Sequence, residues 1–218
     1  GGSNAADVIE RMARDGVLDR FLPGQWRTQS HRMFAQRHAL CKGLTGLERF
    51  ALLLCENDSI EVDSTLKQLK LSNKERNEVQ EIHHRFGRVP EGSKAAMRVF
   101  RSVLQQRTAT HLKLEIVLRE SGLHVAHMDP STPDELSDLI DAVEALAPLS
   151  AGDASIVDGH WIMERTGLGK GIALGRLKMW LHRLQIERDL SDEAAVESVL
   201  CGLNWEHENH ALWPKVEF

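Results

Sequence analysis

The stretch Asp158–Gln185, DGHWIMERTGLGKGIALGRLKMWLHRLQ, decides how this chain is read. It predicts a short apolar helix, a turn carrying Gly167, Gly169 and Gly171, and a long second helix beginning near Ile172. Glycine at alternate positions lets a turn adopt positive φ and lets its backbone come close to a ligand. The helix start that follows offers unpaired N–H groups and a partial positive charge, both suited to a phosphate. Lys170 lies within the turn, with Arg176 and Arg183 further along the helix. The plainer alternative is a tight helix–helix connection with a glycine cap. No strand precedes the turn, as a dinucleotide or P-loop site requires.

Working outward, the rest of the chain also carries helical periodicity, and no alternating β-branched run stands out. The expected fold is all-α: a multi-helix body over 6–149 and a smaller helical tail over 150–218, after a GGSNA remnant at 1–5. The boundary is placed at LSAGDAS, residues 149–155, because it is small, polar and glycine-containing. Thr45-Gly-Leu-Glu48, Ser72-Asn-Lys-Glu75 and Thr132-Pro-Asp-Glu135 are capping-box signatures, each opening a helix. Further helices are expected over 8–21, 29–41 and 93–107, with a last short one capped by Ser191. Trp205 and Trp213 are expected to pin an irregular C-terminal stretch to the body. Trp161 and Trp180 read as core, with base stacking as the alternative.

The net charge of −5 conceals segregation. Residues 11–49 carry +5, 67–119 carry +7 and 165–188 carry +5, whereas 120–164 carry −10 and 189–218 carry −6. Basic blocks separated by acidic ones are what a polyanion groove on an acidic protein requires; solvated helix faces are the alternative. The candidate phosphate contacts are Lys67, Lys70, Lys74, Arg98 and Arg101 on the body, and Gly169, Lys170, Gly171, Arg176 and Arg183 on the tail.

No catalytic constellation emerges. Cys41, Cys55 and Cys201 form no CxxC, and the eleven histidines fit no HExxH or other metal-ligand spacing. No nucleophile elbow is present, and the carboxylates from Asp134 to Glu144 read as a solvated face. The expectation is no catalytic residue, metal or cofactor in this chain. The unevenly spaced cysteines read as reduced core thiols, so an intracellular protein, cytoplasmic or of an organelle matrix, is expected, and because no apolar run approaches the roughly 18 residues of a membrane span no membrane partner is expected.

Three stretches occurring in order, ERFALLLCEND at Glu48–Asp58, LKQLKLSNKERNEV at Leu66–Val79 and VDGHWIMERTGLGKGIALGRLKMWL at Val157–Leu181, carry a family likeness. Over roughly Leu44 to Arg188 the chain resembles the C-terminal body and tail of class II tRNA nucleotidyltransferases, the CCA-adding enzymes, and the related bacterial poly(A) polymerases. The resemblance implies an all-helical, tRNA-holding part, serving a head domain, in cis or in trans, that adds CCA with ATP, CTP and magnesium. It also places the turn at Gly169–Gly171 near the RNA backbone. The departures are equally plain. There is no GGxxRD stretch and no D-x-D pair for two-metal transfer, so the chain is expected to bind without catalysing. Cys55-Glu56 stands where many bacterial relatives carry His-Asp, which argues against metal-dependent phosphatase activity. The alternatives are a non-catalytic helical adaptor that binds a basic protein partner and a degenerate HD-type phosphohydrolase.

Overall fold

The computed structural model describes residues 8, 11–12, 14–21, 43–123, 125, 127–206 and 209–218. The expected helix over 29–41 lies outside them. All regular elements among the described residues are helical, as the periodicity requires. In order they are α1 (Val17–Phe21), α2 (Gly46–Leu53), α3 (Ser59–Gln68), α4 (Asn73–Arg85), α5 (Lys94–Leu104), α6 (Thr108–Glu120), α7 (Pro133–Glu144), α8 (Gly159–Thr166), α9 (Ile172–Arg188) and α10 (Glu193–Gly202). Short 3-10 turns occupy Gln105–Arg107 and His210–Leu212. No helix among the described residues is long and apolar enough to cross a membrane.

Local chemistry sets the helix starts. Thr45 and Ser72 accept from the backbone N–H groups of Glu48 and Glu75, whose carboxylates accept in return, so two amides are satisfied at each end. Thr132 and Glu135 reciprocate in the same way at α7. A further box, Asp58 with Glu61, starts α3. The last helix is capped by Asp192 rather than Ser191, because it is the Asp192 carboxylate that accepts from Ala195.

The chain divides into two compact units, Gly1–Arg88 with Ala109–Ile140, and Val89–Thr108 with Asp141–Phe218. This differs from the boundary expected at 149–150. The buried side chains of α5, Val99, Phe100 and Leu104, belong to a helix that packs on α9, about eighty residues away in sequence, so α5 joins the second unit.

In unit 1, α2 and α3 both pack on α4. Leu52, Leu54, Val62, Leu66, Val79 and Phe86 share one core with Leu114, Val117 and Leu118 of α6. Within α6 sits a buried polar cluster that periodicity alone did not single out. Glu115 is 0 % exposed and accepts from Gly87 N–H at 2.9 Å and from Arg119 at 2.5 Å. Arg119 in turn donates to the carbonyls of Asp129 and Ser131, at 2.9 and 2.7 Å, tying the segment after α6 to the helix. His111 Nε2 bonds the Arg88 carbonyl at 2.8 Å and lies 3.9 Å from Glu115 Oε1.

Burial pushes the His111 pKa down to about 4, so its imidazole is neutral in the fold. An unfolded histidine takes up its proton near pH 6.5. The stability tied to neutral His111 is therefore complete above pH 6.5 and is lost as pH falls toward 4, up to about 3 kcal/mol. Burial of Glu115 raises its pKa, so the fold accepts that proton before the unfolded chain does, which offsets part of the loss. Below pH 6.5 the thermal midpoint of the parent is expected to fall faster than that of His111→Gln; parallel curves would refute this.

Candidate nucleic-acid interface

Unit 2 is built around α9, which contacts α5, α8, α10 and the 3-10 turn at His210–Leu212. Trp161, Ile162, Leu177, Trp180, Leu181, Leu184 and Trp213 form its core, with Trp205 packed against it. Trp161 and Trp180 are thus core residues, and Trp161 Nε1 donates to Glu193 at 3.1 Å. Trp213 lies 5.7 Å from the Trp180 ring, so the C-terminal stretch is pinned to α9 and not to the 6–149 body that was expected to hold it.

The turn between α8 and α9 has one glycine with a conformational reason. Gly167 ends α8 at φ 72 and donates to the Met163 carbonyl at 2.9 Å, a left-handed cap that any side chain would strain. Gly169, Gly171 and Gly175 have no such reason. Gly171 is extended at φ 163, and a Cβ added to any of the three meets nothing within 4 Å. Gly175 even lies inside α9, where glycine costs about 1 kcal/mol relative to alanine. Among the described residues neither backbone conformation nor packing accounts for them.

Around these glycines the surface is open, apolar in part and basic. Ile172 is 75 % exposed and Met179 40 %, on the face of α9 that also carries Arg176. Lys170 is exposed in the turn. No side-chain hydrogen bond caps the start of α9 and no acidic residue occupies its first turn, so its own first turn leaves the positive end of this helix unneutralised.

The remaining cations expected to contact phosphate divide into two groups. Arg98, Arg101 and Arg183 are turned to internal use. Arg98 donates to the Glu187 carbonyl at 3.2 Å and to Asp189 at 2.9 Å, closing the C-terminal end of α9. Asp189 also accepts from Ser150 N–H at 2.8 Å, and that bond, followed by the charge of Arg98, holds its carboxyl below the ordinary range. Arg101 donates to the carbonyls of Leu146 and Ala147. Arg183 pairs with Glu187 at 2.7 Å and donates to the carbonyls of Lys215 and Glu217, both at 2.8 Å. These guanidinium groups satisfy backbone acceptors that would otherwise lose theirs.

Lys67, Lys70 and Lys74 are exposed in unit 1, at the connection between α3 and α4, where Lys67 pairs with Asp63 at 2.5 Å. The structure therefore brings Gly169, Lys170, Gly171 and Arg176 together at one end of α9 in unit 2, while Lys67, Lys70 and Lys74 belong to unit 1. Exposed Ile172 and Met179 were not foreseen as part of the site; their place on the Arg176 face at helical spacing was the signal available.

Among the described residues no group of three or more His, Cys, Asp or Glu is placed to hold a metal ion. No protein-family model, curated protein or solved structure matches the chain.

Proposed function

We propose that the chain binds structured RNA, with tRNA as the RNA, through the glycine-lined and cation-flanked start of α9. In this reading it is the body and tail of a CCA-adding tRNA nucleotidyltransferase or a related poly(A) polymerase. The transfer chemistry, with ATP, CTP and magnesium, belongs to a nucleotidyltransferase head supplied in cis or in trans.

The observation that carries the reading is the set of three glycines whose smallness serves nothing among the described residues. A surface kept free of side chains at Gly169, Gly171 and Gly175 lets a bulky partner approach the backbone at the start of α9, and Lys170 and Arg176 beside it give that partner negative charge. Exposed Ile172 and Met179 suit the sugar and base surface of RNA better than bare phosphate does. The ordered motifs at Glu48–Asp58, Leu66–Val79 and Val157–Leu181 supply the choice of tRNA.

The test is tRNA binding at two salt concentrations by the parent and by Lys170→Glu with Arg176→Glu. The double variant is expected to bind roughly a hundredfold more weakly at low salt, with the log–log salt slope shallower by about two. Parent and variant binding alike would remove this face from the interface. Capture of a basic protein with no RNA affinity at either salt would favour the adaptor reading.

A further inference from the structure

We infer that the C-terminal segment Trp213–Phe218 is a displaceable strap that occupies the far end of the α9 face and withholds Arg183 from RNA. This rests on the RNA reading and specifies how that site is regulated.

Ile172, Arg176, Met179 and Arg183 recur at intervals of four, three and four, which sets them along one stripe of α9. The stripe is open at its start, where Ile172 is 75 % exposed, and still open at Met179. One turn later it is covered. The Arg183 side chain is 27 % exposed, and its Nη1 donates to the carbonyls of Lys215 and Glu217. The strap ends with the Phe218 ring set edge-on against Phe100 of α5, at 4.6 Å and 76°. Trp213 is 5 % exposed and fixes the near end. The segment after it has no helix or strand, so release can begin at Pro214 with Trp213 left in place, and what it uncovers is Phe100.

What the strap offers Arg183 is a pair of neutral main-chain oxygens spaced to suit one guanidinium nitrogen. A phosphate offers charged oxygens to the same group, and charge-assisted hydrogen bonds are about twice as strong as neutral ones. The Lys215 and Glu217 side chains lie 3.8 Å apart and pair with each other. The strap thus acts as a stand-in for the ligand at the end of the face, and RNA that follows the stripe from Lys170 meets it about 20 Å along the helix.

The experiment compares tRNA binding by the full chain, by Phe218→Ala and by Phe218→Ala with Arg183→Gln, at two salt concentrations, with folding checked by circular dichroism. Loosening the strap is expected to tighten binding about fivefold and to steepen the salt slope by roughly one phosphate contact, and Arg183→Gln is expected to cancel both changes. Phe218→Leu, which keeps an apolar cover over Phe100, is expected to move affinity in the same direction by less and serves if the alanine variant does not fold. A parent that binds tRNA while both Phe218 variants match its affinity and slope overturns the strap alone. A parent that binds no tRNA at either salt overturns the RNA reading, and this inference with it.

Discussion

Arg119→Ala is expected to destabilise unit 1 by about 3–5 kcal/mol, because it strands a carboxylate with no exposure to water. Glu115 would keep its bond from Gly87 N–H but lose its charged partner, and the carbonyls of Asp129 and Ser131 would lose their donor. Burial already raises the Glu115 pKa, so the variant has an escape: the carboxyl takes up a proton, and part of the lost stability returns as pH is lowered. Removing both partners, as Glu115→Gln with Arg119→Met, is expected to cost less than Arg119→Ala alone, since no buried charge remains. Unfolding followed by far-UV circular dichroism measures the loss. A loss below about 1 kcal/mol for Arg119→Ala would mean that the pair is not the buried partnership drawn above.

Gly87→Ala is the second large effect, roughly 2–4 kcal/mol, from two additive causes. Gly87 has φ +82, where a side chain costs about 1–2 kcal/mol. Its Cβ would also stand 2.9 Å from Val125 Cγ2 and 3.0 Å from Met128 Cα, and the second of these is backbone that cannot turn aside. The position is held on both sides, since Gly87 N–H donates to Glu115 and the Gly87 carbonyl accepts from Asp129 N–H at 2.9 Å. Gly167→Ala separates the causes: φ is +72 there, but nothing lies within 4 Å of the new Cβ, so only the backbone strain remains. Urea midpoints that shift equally for the two variants would show that crowding at Gly87 contributes nothing.

Both effects fall in a cluster that the chain's pattern conceals. Within HLKLEIVLRE, residues 111–120, Glu115 interrupts an apolar run and Arg119 follows one turn later, which was the only cue to a buried ion pair. Gly87 reads as a routine helix end, and its close neighbours at Val125 and Met128 arrive from about forty residues away.

What the amino-acid order determined by itself was everything that closes within a turn or two of backbone. The capping boxes at Thr45, Ser72 and Thr132, the left-handed cap at Gly167 and the start of α9 at Ile172 all depend on partners within four residues, so composition and spacing suffice to place them. The tertiary structure alone decided which cations remain free. Lys170 and Arg98 look alike as basic residues on or beside helices, yet Arg98 finds its acceptors 89 and 91 residues away, and Arg183 finds two of its own 32 and 34 residues away. The assignment of α5 to the unit of α9 has the same origin. A guanidinium carries its charge in any conformation, but whether it faces solvent or a helix-end carbonyl is fixed by long-range packing, where apolar burial outweighs the local pattern.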